Sequence, residues 1–279
     1  MRDHSRFVFC WRTCVNAGLA LLLCLLMPEA LANARTMAVI GGGNAIAGAF
    51  PWQVLLKQNS FFRCGGVLVR PGWVLTAAHC VQNDAGTLDA RMLQAVAGEY
   101  DRLQPDAPAR QTLGVAEIFV HPDYRQPCCF RDLALLRLTA QATATDFVAP
   151  IWTLTDTAAL TSGLTGVVTG WGMTTPSGPV ATVLQRATMT VSVSTSSSGY
   201  FLTEGPGAIC YGDSGGPFVI YTAAGPRLAG IASFGGCNPG GGFADVAGAS
   251  VWIDETILTG GVVVGGPQAH RQLLPLVAR

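Results

Sequence analysis

The sequence is poor in charge and has no repeated unit. Only 12% of its 279 residues are charged, and the formal net charge is zero. A neutral chain offers no electrostatic argument for binding nucleic acid or an anionic membrane surface. No internal repeat is apparent, which argues against solenoid and propeller architectures. Long helical periodicity is missing until residues 249–258, which argues against an all-helical fold.

Histidine is also scarce, with four in the whole chain, and none has the spacing of a zinc ligand pair with His79. Glycine is abundant at 34 residues, and short apolar runs alternate with Gly, Pro and Asp, as in 52–57, 133–138 and 228–233. Many short strands separated by turn residues are typical of barrels and sandwiches. The composition therefore predicts an all-β protein.

The N-terminus has the pattern of a targeting segment. Arginines precede an apolar run over 17–27, and small residues follow over 30–34. We predict a secretory signal peptide over 1–34 and a short pro-segment over 35–38. A retained membrane anchor is the alternative, but the apolar run is shorter than the ~20 residues of a spanning helix. The mature protein is expected outside the cytoplasm, extracellular or periplasmic, without stable membrane association.

A serine between glycines is the most informative motif. Residues 212–217 read Gly-Asp-Ser-Gly-Gly-Pro, a tight turn on which the Ser214 hydroxyl would be exposed. The backbone N–H groups of Gly212 and Ser214 could hold the oxyanion of a tetrahedral intermediate. A serine hydroxyl is a weak nucleophile at neutral pH, and His79 could act as its base. Asp132 would accept the other imidazole N–H and fix the tautomer.

At these motifs the chain resembles the trypsin/chymotrypsin-like family of serine proteases, over residues 39–256. The resemblance rests on seven motifs in order, at 39–42, 50–54, 64–66, 77–80, 132–136, 169–172 and 212–217. It implies two packed six-stranded antiparallel β-barrels and a C-terminal helix, in a protease domain over 39–258. Residues 259–279 lie beyond the family's usual end and are expected to be a disordered tail, with a docking strand or sorting element as the alternative.

The resemblance implies a role for each site residue. His79, Asp132 and Ser214 would be catalytic, Gly212 and Ser214 would form the oxyanion hole, and Ser233 would support Asp132. His121, by contrast, is interpreted as a surface loop residue, and the Ser/Thr-rich stretch 192–198 as a flexible loop.

The resemblance also implies two disulfides, Cys64 with Cys80 and Cys210 with Cys237. Both require an oxidising compartment and agree with export.

Cys128 and Cys129 are adjacent and have no counterpart in the family pattern. They could form a vicinal disulfide, remain thiols or bond another chain. We favour a closed or capped pair.

Activation in this family pairs a new N-terminal amine with the aspartate before the nucleophile. The matching residues are Val39 and Asp213. Ala38, not Arg or Lys, precedes Val39, so trypsin-like self-activation is not expected. A protease that prefers small residues, or signal peptidase itself, is the expected activating protease.

The specificity pocket is predicted to be uncharged. By resemblance Ala208 lies at its base, Gly235 and Gly241 line its walls beside Ser233, and Phe243 narrows its depth. An open apolar slot favours a large apolar residue before the scissile bond, such as Phe, Tyr, Leu or Met. An elastase-like preference for Ala or Val is the alternative.

The sequence thus predicts a serine endopeptidase that hydrolyses protein or peptide substrates through an acyl-enzyme, after an uncharged apolar residue. No cofactor and no metal is expected; Glu99 and Asp101 lie near the family's calcium loop, but its last carboxylate is missing around Ala109. A catalytically silent homologue that acts as a binding protein is the main alternative, with an esterase that uses the same residues as a third.

Overall fold

The structure, a computed structural model, describes residues 40–104, 107, 109–125, 130–195 and 198–261. The predicted signal peptide, the pro-segment, Val39, the Cys128–Cys129 pair and nearly all of the predicted tail lie outside the described residues. None of the helices that the structure describes is long and apolar enough to cross a membrane.

Six antiparallel strands close the first barrel. They are β2 (Gln53–Gln58), β3 (Phe61–Arg70), β4 (Trp73–Thr76), β7 (Leu93–Ala97), β8 (Gln111–Val120) and β9 (Ala134–Leu138), paired in the order β2-β3-β4-β9-β8-β7. The barrel closes where β2 pairs with β7, with Val54 opposite Ala97. Interior positions are aliphatic, as at Leu56, Val74 and Leu135, which are almost fully buried. These β-branched and aliphatic side chains suit a pleated, buried surface.

The second barrel is built in the same way. Its strands are β10 (Thr165–Gly170), β11 (Gln185–Thr195), β12 (Tyr200–Glu204), β13 (Pro217–Thr222), β14 (Gly225–Phe234) and β15 (Gly241–Asp245). They pair in the order β11-β10-β13-β14-β15-β12, and a β11–β12 pairing closes the ring. Three aromatic rings, Phe201, Phe218 and Phe243, pack at centroid distances of 5.0–5.5 Å in its core. The predicted pair of barrels is confirmed.

Two pairings of short strands lie beside the barrels. Strand β1 (Gly43–Asn44) pairs with β11, and β5 (Gln82–Asn83) pairs with β6 (Gly86–Thr87). Strand β11 runs to Thr195, so the prediction of a flexible loop over 192–198 is wrong for its first four residues. Val191–Thr195 faces β12 across a register shift, and backbone pairing there outweighs the low strand preference of serine.

One α-helix, α1 (Ser250–Thr259), closes the described part of the chain. It ends at Gly260, whose φ of 61° suits a left-handed cap that glycine adopts without strain. Ile253 on its inner face is buried in an apolar cluster that contains side chains of both barrels. The helix predicted over residues 249–258 is confirmed. It follows the second barrel but packs into the apolar seam shared with the first.

Candidate active site

His79 and Asp132 lie beside the adjacent ends of two neighbouring strands of the first barrel. His79 lies in the short 3-10 helix Ala78–Cys80, which follows β4, and Asp132 lies just before β9. Strands β4 and β9 pair with Thr76 opposite Ala134, which brings the two side chains together. Asp132 Oδ2 lies 2.7 Å from His79 Nδ1, and the His79 amide donates to Asp132 Oδ1 at 3.0 Å.

A third side chain contacts the same carboxylate from the second barrel. Ser233 Oγ donates to Asp132 Oδ2 at 2.6 Å. Burial alone would raise the pKa of Asp132, but the hydrogen bond and charge of His79 and the hydrogen bond from Ser233 lower it below its ordinary value. Asp132 is therefore an ionised carboxylate with both oxygens engaged, and it holds the ring of the half-exposed His79.

The serine turn connects two β-barrels. The Ser214 carbonyl accepts from the Gly65 amide at 2.8 Å, in β3 of the first barrel. The amide of Gly215 donates to the carbonyl of Ala232 at 2.8 Å, in the second barrel, beside Ser233. At Gly215, with φ of 79°, a Cβ would lie 2.3 Å from Thr76 Oγ1, so only glycine fits. Both barrels thus fix the backbone of Ser214.

Two sets of contacts link the serine turn to His79. Ser214 is hydrogen-bonded to Gly65, and the neighbouring Cys64 forms a disulfide with Cys80, which follows His79. His79 also contacts Asp132, which accepts from Ser233, and the neighbouring Ala232 accepts from the Gly215 amide. Within the described ranges, no hydrogen bond joins Ser214 Oγ to His79. The structure therefore brings the three predicted residues to one region, while only the His79–Asp132 pair is in direct contact.

Two backbone donors at the turn are free. Among the residues that the structure describes, the N–H groups of Gly212 and Ser214 have no acceptor, whereas those of Asp213, Gly215 and Gly216 are all bonded. Gly212 has a φ of 98°, in the left-handed region that favours glycine. Free, half-exposed amides on a fixed turn can bind an oxygen that carries negative charge.

Asp213 points away from solvent, into the fold. Its side chain is completely buried and accepts from the Gly172 amide at 2.8 Å and the Cys210 amide at 3.0 Å. Burial raises the pKa of Asp213 to about 7, because it outweighs the two hydrogen bonds. A Cβ at Gly170 or Gly172 would lie 2.3 or 2.4 Å from this carboxyl group, which explains both glycines of the Thr-Gly-Trp-Gly motif.

The start of the described chain lies against the same region. The Ala208 amide donates to the Ile40 carbonyl at 2.8 Å. Ala208 is two residues before Cys210, whose amide donates to Asp213. The residue that follows Val39 therefore lies beside the segment that leads to the Asp213 carboxylate.

One further residue lies between the two glycines of the predicted specificity pocket. Ala208 is completely buried, and the disulfide between Cys210 and Cys237 is formed. Sequence reasoning missed Ile209, whose side chain lies against both Gly235 and Gly241. No local sequence pattern marks it, because Gly235 and Gly241 lie beside Ile209 only in the folded chain.

Phe243 differs from its prediction. Its ring stacks on Phe201 at 5.5 Å and packs on Phe218 at 5.0 Å in the core of the second barrel. The residue that limits the space between the two glycines is Ile209.

His121 was interpreted as a surface residue, and that interpretation is wrong. It is only 7% exposed, its Nδ1 accepts from the Asp123 amide, and its ring lies 4.7 Å from that of Trp252 in α1. Burial and the nearby charge of Arg131 lower the pKa of His121 to about 4, so it is a neutral packing residue.

Two groups of potential metal ligands have other partners. Cys64, His79 and Cys80 lie close together, but the two sulfurs are joined in a disulfide and are not thiolate ligands. Glu99, at the position of the family's calcium loop, lies with Oε2 3.4 Å from Arg110 Nε. The guanidinium supplies the cation that this buried carboxylate faces.

Two closed six-stranded barrels and a short C-terminal helix define the trypsin-like fold class. The family profile described as Trypsin matches residues 39–253. The chain therefore belongs to the trypsin family, as its motifs indicated.

Several curated proteins are similar to the chain. It is 32% identical over 249 residues to chymotrypsin-like elastase family member 3B of Homo sapiens, covering 78% of this chain and 88% of that protein. It is 33% identical over 221 residues to trypsin-1 of Astacus astacus, covering 72% of this chain and 92% of that protein. It is 31% identical over 220 residues to ovochymase-2 of Mus musculus, covering 72% of this chain but only 35% of that longer protein. It matches 28% of the length of serine proteinase stubble of Drosophila melanogaster.

Proposed function

We propose that the protein is a serine endopeptidase that hydrolyses protein or peptide substrates after an uncharged apolar residue. The observation that carries the proposal is the 2.7 Å contact between His79 Nδ1 and Asp132, on a scaffold that also fixes the Ser214 backbone. With Nδ1 bound to the carboxylate, Nε2 is the nitrogen left to act as a base.

The chemical steps follow from these positions. Nε2 of His79 takes the Ser214 hydroxyl proton as Oγ attacks the scissile carbonyl carbon. The carbonyl oxygen becomes an oxyanion, which accepts hydrogen bonds from the free amides of Gly212 and Ser214. The imidazolium, stabilised by ionised Asp132, then protonates the leaving amine, and an acyl-enzyme remains. Water attacks the ester with His79 again as base, which releases the acid and regenerates Ser214.

Activation by cleavage before Val39 is part of the proposal. The new ammonium group would pair with Asp213, whose buried carboxyl has no cationic partner among the described residues. A charge pair there would hold the ionised carboxylate and order the turn that carries Gly212 and Ser214. The Ile40–Ala208 contact supports this, since it brings the chain beside the Asp213 segment. Ala38 before the cut points to an activating protease that prefers small residues, or to signal peptidase.

Export is proposed on independent grounds. The N-terminal signal pattern and the two disulfides, Cys64–Cys80 and Cys210–Cys237, both fit an extracellular or periplasmic protein. The protease domain is proposed to span residues 39–258.

The test is covalent labelling of the secreted protein with a serine-reactive fluorophosphonate. The N-terminus is first determined by sequencing, and Ser214→Ala is compared with Ser177→Ala, a control at an exposed serine. We expect the form that begins at Val39 to be labelled, the Ser177→Ala protein to be labelled equally, and Ser214→Ala to be unlabelled. No labelling of the form that begins at Val39 would contradict the proposal and favour a catalytically silent binding protein. Labelling without cleavage of any peptide would favour an esterase.

A further inference from the structure

Ile209 occupies the space between the two glycine walls of the proposed specificity pocket. A Cβ added at Gly235 would lie 2.5 Å from Ile209 Cγ1, and one added at Gly241 would lie 2.4 Å from the same carbon. Glycine Cβ positions mark the direction in which each wall faces. The Cγ1 methylene of Ile209 therefore lies against both glycines and fills the space between them.

Neither the base of the proposed pocket nor Ile209 is open to solvent. Ala208 is completely buried and Ile209 is only 3% exposed, whereas Gly235 at the wall is exposed. An open slot would leave its base in contact with solvent. Here solvent reaches the wall but not the base, so a substrate side chain would meet Ile209 before it met Ala208.

The backbone holds Ile209 in this position. Its amide donates to the Gly240 carbonyl at 3.3 Å, and its carbonyl accepts from the Cys237 amide at 3.3 Å. Cys237 is in turn bonded to Cys210, the next residue along the chain from Ile209. Ile209 is also packed in the apolar core of the second barrel, so moving it aside would disturb well-packed neighbours.

We infer that Ile209 is the specificity-determining residue and restricts the position before the scissile bond to a small apolar side chain, alanine or valine. The inference rests on the proposed function and narrows its substrate class. It favours the elastase-like preference for Ala or Val over the large apolar residues that an open slot would accept. A Phe or Tyr ring would have to displace Ile209 Cγ1 and Cδ1, and overpacking of this kind is unfavourable. Arg and Lys are also excluded, since the base offers no carboxylate.

The experiment measures kcat/KM for peptide p-nitroanilides that differ only in the residue before the scissile bond: Ala, Val, Leu, Phe and Arg. Enzyme concentration comes from fluorophosphonate titration of the form that begins at Val39. We expect Ala and Val substrates to exceed Phe by about tenfold or more. In Ile209→Ala the ratio of kcat/KM for the Phe substrate to that for the Ala substrate should rise by about tenfold. Ile209→Val, which removes one methylene, should shift the ratio in the same direction by less.

The matched control is Ile220→Ala, which removes the same volume from a residue that is also 3% exposed in the same apolar cluster. No atom of Ile220 is among those nearest to a Cβ at either glycine, all of which belong to Ile209. This control should lower stability without changing the Phe-to-Ala ratio. A wild-type preference for Phe, an unchanged ratio in both Ile209 variants, or an equal change in Ile220→Ala would overturn the inference while labelling at Ser214 persists. Absence of labelling would instead overturn the proposed function, and this inference with it.

Discussion

At the scale of single residues, Asp132 of the candidate site has both carboxylate oxygens hydrogen-bonded. It is buried, yet its pKa lies below the ordinary value because His79 and Ser233 both stabilise the charged form against burial. A depressed pKa in the folded state contributes stability above the ordinary pKa of 3.8, and that stability is lost as the pH falls through the folded value. The same charge is what would stabilise a protonated His79 during catalysis.

Replacing Ser233 by alanine tests whether its hydrogen bond helps to lower the pKa of Asp132. The 2.6 Å hydrogen bond to Asp132 Oδ2 is lost, so the carboxylate pKa should rise and the loss of stability in acid should begin at a higher pH. A hydrogen bond to a charged group is worth about 1.5–3 kcal/mol, so we expect kcat/KM to fall by about tenfold or more. Unfolding and kcat/KM are measured across pH, with Ser177→Ala as the exposed control. A pH profile identical to that of the control would show that Ser233 does not act through Asp132.

At the scale of elements, the loop after β10 shapes the serine turn. Gly170 ends β10 and Gly172 follows it, and both approach the Asp213 carboxyl group so closely that no side chain fits. This close approach holds the residue next to Ser214 in place. The Thr-Gly-Trp-Gly segment therefore supports the site without contacting the reacting atoms.

Gly172→Ala should consequently displace the serine turn. Its Cβ would lie 2.4 Å from Asp213 Cγ, so the carboxyl group or the loop must move, at about 1–3 kcal/mol of stability. We expect fluorophosphonate labelling of Ser214 to fall sharply. Gly43→Ala is the matched control, because a Cβ there meets nothing within 4 Å. Equal labelling in the two variants would show that the turn does not depend on this contact.

The all-β class could be predicted from the sequence because its signals are local, whereas the pair of six-stranded barrels was predicted from the resemblance of the ordered motifs to the trypsin/chymotrypsin-like family. Short apolar runs with turn residues indicated strands, and the 3.6-residue pattern over 249–258 indicated the helix. His121 and Ile209 were misjudged or missed because their environment is made by distant segments. Trp252 of α1 covers His121, and Gly235 and Gly241 of the second barrel enclose Ile209. Burial by a remote element leaves no mark on the neighbouring residues in the chain.

At the scale of the whole molecule, the site depends on contacts that join the two barrels. Thr169 Oγ1 donates to Gln53 Oε1 at 2.5 Å between two buried side chains, and Trp171 Nε1 donates to the Tyr100 carbonyl at 3.2 Å. With the Ser214–Gly65 and Ser233–Asp132 contacts, these bonds fix the second barrel against the first. Groups from both barrels are needed at the site, so its geometry depends on how they pack.

The ionisation of Asp213, the proposed partner of the new N-terminus, should make the stability of the uncleaved protein depend on pH. Among the described residues no ammonium group faces Asp213, and burial raises its pKa to about 7. The stability from the neutral carboxyl group is fully present below the ordinary value of 3.8 and is lost as the pH rises through about 7. The uncleaved protein should therefore lose roughly 1–4 kcal/mol of this contribution between pH 4 and pH 8, and Asp213→Asn should remove the dependence.

The form that begins at Val39 should not lose stability over this pH range. An ammonium group beside Asp213 favours the ionised carboxylate, so its pKa falls and the loss of stability toward pH 8 disappears. Urea unfolding at pH 5 and pH 8 compares the two forms, with Asp213→Asn made in each. In the uncleaved form the asparagine removes the pH slope, and its NH2 group, which cannot accept from the Gly172 or Cys210 amide, adds a cost that does not depend on pH. In the cleaved form it leaves a buried ammonium unpaired, which should be strongly destabilising. If cleavage changed neither the slope nor the cost of the substitution, the Val39 amine would not reach Asp213, and the turn that carries Ser214 would be ordered by the barrels alone.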